Sequence, residues 1–273
     1  MKAYESGCLN ASKEIGDCYD FLGDQKSAID WYIKGFEYGY DTLDSIICSM
    51  ISASKDDQKK IFDFYLNKSE KGDTRFFVLL GECYYFGKGT ASDSKKAYEW
   101  YLKAAELENP EAQYHIGCCY HIGRGVRKNR KLAFEWYLKS AENGYGAAQE
   151  ELGFCYSCGF GVKRDEHKAF EWYLKAAEQG YELAFSKVAA CYWLGLVVEE
   201  DPQKAFEWYL KAAESGFNSS QCQVASFYFE GYGTKKNTAK AVEWYLKAAE
   251  NENDEAIEWL KNHRALVNKF IQK

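Results

Sequence analysis

The sequence of 273 residues predicts an all-α fold, in which about seven antiparallel helix pairs stack in chain order as an α-solenoid with a C-terminal capping helix. Two observations predict it. One segment of the chain recurs at a fixed interval, and that segment has the pattern of a half-buried amphipathic helix. A fixed period of about 20–50 residues is typical of repeat architectures, in which each unit packs only on its neighbours.

The recurring segment at 168–178 reads KAFEWYLKAAE, and it returns unchanged at 204–214. Near copies lie at 96–106, 132–142 and 240–250. Their tryptophans stand 36 residues apart, at Trp100, Trp136, Trp172, Trp208 and Trp244. The segment is rich in strong helix formers, and its apolar residues recur at i, i+3, i+4 and i+7. We therefore expect an amphipathic second helix in each repeat, with the tryptophans in the core.

Each full repeat also carries a first helix, followed by a loop with two glycines. One first helix is expected to begin at Pro110 with Asn109 as its N-cap. Gly117, inside that helix, predicts a closely packed neighbour, because glycine costs about 1 kcal/mol there. The loop glycines are Gly87/Gly89, Gly123/Gly125, Gly159/Gly161 and Gly231/Gly233. The expected N-caps of the second helices are Asp93, Asn129, Asp165, Asp201 and Asn237. The expected C-terminal glycines are Gly144, Gly180 and Gly216.

The periodicity divides the chain into three segments of one continuous solenoid. Residues 1–72 form two divergent, shorter repeats with tetratricopeptide-like lengths. Residues 73–252 form five 36-residue repeats. Residues 253–273 form a capping helix, in which Lys261 and Arg264 occupy the glycine and tyrosine positions of a first helix. Charged residues at those positions favour a polar outer face, as a solenoid end requires.

Composition narrows the classes of function. The hydrophobic share of 47% supplies a packed core, and the net charge of −6 argues against binding to nucleic acid. The N-terminus is followed by no apolar run of signal-peptide length, and no stretch of the chain approaches the about 18 apolar residues of a membrane helix. We therefore expect a monomeric cytoplasmic protein with no membrane partner, although export by another route stays open.

The ten cysteines do not follow the pattern of a disulfide scaffold. Cys83, Cys119, Cys155 and Cys191 are 36 residues apart, and Cys18 takes the same position in the first repeat. Equivalent positions of neighbouring helices lie about 8–10 Å apart, beyond the about 7 Å limit for a bridge. We expect free, buried thiols.

The fifth repeat carries a family resemblance. Its marker residues are Ala148, Leu152, Gly153, Tyr156, Gly159, Gly161, Val162, Asp165, Lys168, Ala169, Trp172, Tyr173, Lys175, Ala176 and Ala177. This pattern resembles the Sel1-like repeat, strongly over 73–260 and more weakly over 9–72. The sixth repeat departs from it, since Gly195-Leu196-Val197 lacks the second glycine and predicts a different loop conformation.

The resemblance implies a right-handed superhelix that serves as a non-enzymatic scaffold or adaptor in signalling and complex assembly. An exported effector that engages a host protein is the alternative. A cysteine-rich secreted branch of the family staples each repeat with a disulfide. Alanines stand at the corresponding columns here, Ala141 and Ala148, and Ala177 and Ala184. Their presence agrees with a reduced, intracellular protein.

The positions of the first helix that vary between repeats are free to meet a ligand, and the resemblance places them on the concave face. They are Tyr85, Tyr114, Cys118, His121, Glu150, Phe154, Ser157, Trp193 and Phe229. Aromatic residues that the repeat does not require are candidate anchors for a peptide or protein. Trp193 stands out, because its column holds other residues elsewhere, so we expect it to matter for binding rather than for stability.

A thiol or zinc site is the sharper alternative. Cys118, His121 and Cys158 are expected to face the concave side together, and thiolate and imidazole suit zinc. His115 falls in a column held elsewhere by Glu151 and Lys187 and is expected to be solvated. The repeat brings together no nucleophile with a base, so the sequence predicts neither an enzyme nor a cofactor.

Overall fold

The computed structural model describes residues 11–271, which are helical apart from their connections and contain no β-strand. The chain divides into two compact units, Met1–Lys128 and Asn129–Lys273. Residues 1–10 and 272–273 of the predicted first and last segments lie outside the described residues. The predicted all-α repeat fold is confirmed, and continuity of the solenoid along the whole chain stays a prediction.

The first unit contains seven helices among its described residues. They are α1 (Ala11–Phe21), α2 (Gln25–Glu37), α3 (Leu43–Ser52), α4 (Lys55–Glu70), α5 (Phe77–Phe86), α6 (Ser94–Ala105) and α7 (Pro110–Ile122), with a 3-10 helix at Thr74–Phe76. Within this unit each helix packs on the next one, and α2 also contacts α4.

The second unit contains nine helices among its described residues. They are α8 (Arg130–Glu142), α9 (Gly146–Cys158), α10 (Glu166–Glu178), α11 (Glu182–Leu194), α12 (Pro202–Glu214), α13 (Asn218–Glu230), α14 (Thr238–Glu250), α15 (Asp254–Asn262) and α16 (Arg264–Ile271). Consecutive helices pack on one another throughout, and α14 contacts both closing helices.

The predicted N-caps are confirmed. The side chain of Asp165 accepts a hydrogen bond from the backbone N–H of Lys168 at 3.1 Å, and Asp93 accepts from Lys95 and Lys96. Asn129, Asp201 and Asn237 cap α8, α12 and α14 in the same way. An unsatisfied N–H at the start of each second helix thereby finds an acceptor.

The C-terminal glycines are confirmed as well. Gly144, Gly180 and Gly216 have φ of 86°, 86° and 97°, a backbone region in which glycine carries no steric cost. Glutamates stand at the equivalent position of two other repeats. Glu108 and Glu252 have φ of 59° and 60°, so these two helix ends hold a side chain in the left-handed region.

Close packing inside each helix pair depends on a small residue of the first helix. A Cβ at Gly153 would lie 2.6 Å from Cδ1 and Cε1 of Tyr173, and a Cβ at Gly81 would meet Tyr101 in the same way. The predicted close neighbour of this glycine column is therefore the tyrosine of the second helix.

The tryptophan column is not the core that the sequence predicted. Trp172 and Trp208 are half-buried, whereas the adjacent Tyr173 and Tyr209 are buried. Lys175 Nζ lies 4.8 Å from the centre of the Trp172 ring, and the same lysine–tryptophan contact recurs in the other copies. The ring therefore packs on one face and meets a cation on the other.

The predicted single capping helix is divided in two. His263 caps α15 with φ of −110°, and its ring stacks on Trp259 at 4.1 Å between centroids. Both the backbone N–H of His263 and its Nδ1 lie within hydrogen-bond distance of the Trp259 carbonyl oxygen. Because the chain turns at this residue, α16 begins as a separate helix.

Gly153→Leu should lower the free energy of unfolding by about 1–3 kcal/mol, because the added side chain displaces the Tyr173 ring. Urea unfolding measures it. The control is Lys261→Leu, which sits in the same column but is exposed and should change stability little. Equal losses at the two positions would contradict the close packing of Gly153 on Tyr173.

Glu252→Gly should raise the free energy of unfolding by about 1 kcal/mol, because it relieves a left-handed backbone. Gly180→Ala is the reverse experiment at an equivalent site. No atom lies within 4 Å of its Cβ position, so any loss there is conformational rather than steric. Thermal and urea unfolding report both changes, and a less stable Glu252→Gly variant would contradict the account.

Candidate binding surface

A groove separates two first helices of the second unit. A cavity of about 400 Å³ lies between α11 and α13, with the buried ring of Tyr209 in its lining. Its other lining residues are Ser186, Lys187, Ala190, Trp193, Ser219, Ser220 and Gln223. The lining combines one cation, four hydroxyls (three serines and the phenol of Tyr209) and an indole, and it contains no carboxylate.

Trp193 is placed in this groove, as part of its wall. The indole is half-buried and packs on Phe227 at 4.8 Å and on Tyr232 at 5.5 Å between ring centroids. Trp193 therefore stabilises the fold to some extent as well as lining the groove. The predicted contrast with Trp172 is weaker than the sequence indicated, since both tryptophans are half-buried.

Ser220 leaves a polar atom unsatisfied in the groove. Its Oγ is buried and has no hydrogen-bond partner. The equivalent positions of earlier repeats are the buried alanines Ala148 and Ala184, so a hydroxyl has entered a column that the fold fills with methyl groups. An unpaired buried hydroxyl costs about 1–3 kcal/mol, and a polar ligand atom in the groove would offset that cost. A serine in an alanine column was the sequence signal for this site.

The preceding first helix, α9, carries three of the predicted residues. Phe154 is 40% exposed, and the Ser157 hydroxyl donates to the Phe154 carbonyl at 3.0 Å. Burial raises the pKa of the Glu150 carboxyl, and the charge of Lys187 partly opposes that rise. Lys187 therefore acts electrostatically on both α9 and the groove.

Phe229 has partners of its own in the closing helices. Its ring packs on Trp259 at 5.2 Å and on His263 at 5.6 Å between centroids, and Lys236 lies over it at 5.3 Å. These contacts give Phe229 a structural role at the junction with α15.

The remaining predicted residues belong to the first unit. Tyr85, Tyr114, Cys118 and His121 are all half-buried. The Arg124 guanidinium lies 3.9 Å from the centre of the Tyr85 ring and donates to the Tyr85 carbonyl oxygen at 3.0 Å. Tyr85 is thus held by the loop of the following repeat. Zinc binding by Cys118, His121 and Cys158 stays a prediction, because these residues are divided between the two units.

His115 is not solvated, as the sequence had suggested. It stacks on the buried Tyr101 at 4.6 Å between centroids, and its Nε2 is buried without a hydrogen-bond partner. Burial lowers the pKa of the imidazole to about 4. The column comparison failed here because Tyr101, the residue that covers His115, is contributed by the second helix of the previous repeat.

The cysteines among residues 11–271 form no disulfide with one another, but not all are buried. Burial raises the pKa of Cys83, Cys119, Cys155 and Cys222 to about 12. Cys18, Cys48 and Cys158 are exposed. Cys18 therefore departs from the predicted buried column, and Cys191 in the same column is half-buried. The staple-column residues Ala141, Ala148, Ala177 and Ala184 are all buried.

A family model described as Sel1 repeat matches residues 78–109, 110–145, 146–181, 182–217 and 218–253, more than half of the chain. The chain belongs to the Sel1-repeat family. Sel1 repeats generally mediate protein–protein interaction. No helix among the described residues is long and apolar enough to cross a membrane.

Solved structures agree with this assignment. A Sel1 repeat protein from Oxalobacter formigenes is 28% identical over 80% of this chain and 93% of its own, with a TM-score of 0.70. A protective antigen of uropathogenic Escherichia coli with an SLR fold is 30% identical over 93% of this chain, with a TM-score of 0.66. The match covers 48% of that antigen, so the chain spans about half its length. No curated protein matches the chain.

Glu151→Gln should make stability less dependent on pH. Burial, together with the charge of Glu150, raises the pKa of the Glu151 carboxyl to about 7. Folding therefore favours its protonated form, and the stability that this form confers is lost as pH rises from the unfolded pKa of about 4.3 through 7. At pH 8 the variant should be more stable by about 1–2 kcal/mol, after allowance for solvent screening, and near pH 4 it should match the wild type.

Unfolding curves across this pH range measure the effect. Glu171→Gln, at an exposed position of α10, is the control and should show no such trend. A Glu151→Gln variant with the same pH profile as the wild type would contradict the burial of this carboxyl.

Proposed function

We propose that this chain is a non-enzymatic scaffold that binds an extended peptide segment of a partner protein in the groove between α11 and α13. The observation that carries the proposal is the unsatisfied Ser220 hydroxyl in a groove whose wall is the Trp193 indole. A volume of about 400 Å³ falls within the about 300–1,000 Å³ of ligand pockets.

The lining selects the chemistry of the peptide. Lys187 is the only charged side chain among the lining residues, so the groove favours a carboxylate, either an acidic side chain or a chain terminus. Ser220 and Gln223 offer hydrogen bonds to a peptide backbone. Trp193 offers an apolar face, and an aromatic residue that becomes buried on binding is a common anchor of protein interfaces. The expected ligand is therefore a short segment with one apolar and one acidic group.

Membership of the Sel1-repeat family supports a role in protein interaction. The groove lies between first helices, where the columns vary from repeat to repeat, whereas the residues that hold the helices together recur. The proposed site extends to the surface of α9 around Glu150, Phe154 and Ser157. The charge of Lys187, on α11, acts on the Glu150 carboxyl of α9 as well as on the groove. Engagement of a host protein by an exported form of the chain stays a prediction.

Trp193→Ala should lower the affinity for the partner by about 30-fold, equivalent to about 2 kcal/mol, because an aromatic anchor is lost. Trp172→Ala is the matched control, since it truncates a half-buried tryptophan of a second helix away from the groove. Partners are captured with the wild-type chain as bait, and affinities of the variants are then measured by calorimetry with the purified partner.

Because Trp193 also packs on Phe227, a second variant tests the groove without truncating a packed ring. Lys187→Glu reverses an exposed charge. It should weaken the binding of an acidic ligand, while the melting temperature stays near the wild-type value. Full-strength binding by both Lys187→Glu and a folded Trp193→Ala would place the ligand on another surface and end the proposal.

A further inference from the structure

Three side chains with metal-ligand chemistry meet in the first unit. Glu82 lies on α5, and Glu111 and His115 lie on α7. One carboxylate oxygen of each glutamate and one imidazole nitrogen all fall within 4.8 Å of one another. The three residues are half-buried.

The helix geometry explains the convergence. Glu111 and His115 are four residues apart, so both face the same side of α7 one turn from each other. Glu82 comes from the first helix of the preceding repeat and completes the set across the two helices. Its column holds Cys118 and Phe154 in the next repeats, so the fold does not require a carboxylate there.

The histidine is positioned but unsatisfied. The buried ring of Tyr101 stacks on it with an interplanar angle of 13°, which limits its rotation. Its Nε2 is buried with no hydrogen-bond partner, a costly state that a metal ion or another ligand would relieve. Glu82 and Glu111 place two carboxylates side by side in a partly desolvated site, and Lys88 is the cation that acts on Glu82. A bound divalent cation would offset the repulsion between the carboxylates.

We propose that Glu82, Glu111 and His115 bind a divalent transition-metal ion, with zinc as the best match. One imidazole and two carboxylates are ligands that zinc accepts, and three protein ligands leave a fourth position for water or for a group of a partner protein. Ligand bonds of about 2.0–2.2 Å require neighbouring ligand atoms to approach to about 3.5 Å. The flexible glutamate side chains supply that movement of about 1 Å, whereas Tyr101 keeps the imidazole in place.

A metal bound here would link α5 to α7, the first helices of two successive repeats. It would bind the folded chain and not the unfolded one, so it would raise stability with increasing metal concentration. The site is separate from the groove of the second unit, and the two proposals stand or fall independently.

Zinc titration by calorimetry of the chelator-treated, reduced full chain tests the proposal. The wild type should bind one ion at this site, and the melting temperature should rise with added zinc. Glu111→Gln and His115→Ala should each weaken zinc binding by at least about 100-fold. Loss of a residue that only supports a metal ligand costs about 10–100-fold in affinity, and loss of the ligand itself should cost more. Far-UV circular dichroism confirms that each variant is folded.

Two controls separate this site from binding by cysteines or by surface histidines. His167→Ala, at an exposed histidine of the second unit, should bind zinc like the wild type. So should the double variant Cys118→Ser/Cys158→Ser. Cobalt provides a spectroscopic readout, because thiolate ligation produces a charge-transfer band that nitrogen and oxygen ligands do not. We expect cobalt bound by the wild type to lack that band.

Three results would overturn the proposal. They are the absence of zinc binding by the wild type, unchanged binding by the folded Glu111→Gln variant, and a thiolate band that disappears in the double cysteine variant. The last would instead support the thiol site predicted from the sequence.

Discussion

The structure depends on one close contact, the approach of the first helix of each repeat to the tyrosine ring of the second. Glycine provides the space at Gly16, Gly81 and Gly153, where a Cβ would overlap the ring of Tyr32, Tyr101 and Tyr173, respectively. Alanine replaces it at Ala189 and Ala225, both fully buried. Because this contact uses one side of the first helix, the other columns of that helix are left free to vary. Most of the groove between α11 and α13 is lined by those columns, whereas Ser220 stands in an alanine column and Tyr209 comes from α12.

Successive repeats within a unit are joined by a second backbone contact. A Cβ at the second loop glycine would overlap the backbone at the start of an earlier second helix, as at Gly89 with Gln58 and at Gly161 with Arg130. Glycine is needed there for space as well as for its positive φ. The sixth repeat has Val197 at this position, and its φ is not positive. The different loop conformation predicted from the missing glycine is therefore confirmed.

The sequence predicted the features that depend on one residue type at one position. The capping aspartates, the C-terminal glycines and the helix-pair glycine are local requirements of the backbone, and each was found where the repeat placed it. The depth of burial was harder to predict. Trp172 and Tyr173 lie on the same apolar stripe, and periodicity does not say which of the two turns towards the partner helix.

Contacts between repeats also escaped the sequence comparison. Comparing columns 36 residues apart treats equivalent positions as neighbours, yet Glu82 meets His115, which is 33 residues further along the chain. The groove was hidden for a similar reason, since its lining pairs Trp193 of one helix with Ser219 and Gln223 of another, which stand in other columns. Chemistry formed between two repeats therefore needs the three-dimensional packing, whereas chemistry within one repeat can be predicted from its pattern.

The second unit is proposed to bind its partner between two first helices, α11 and α13. Amide hydrogen exchange, measured with and without a bound partner, tests it most directly, because it reports protection along every helix at once. We expect new amide protection in α11 and α13. The amides around Trp208 in α12 and Trp244 in α14 should keep the protection that they have without the partner. New protection confined to the second helices, with α11 and α13 unaffected, would contradict binding between the first helices.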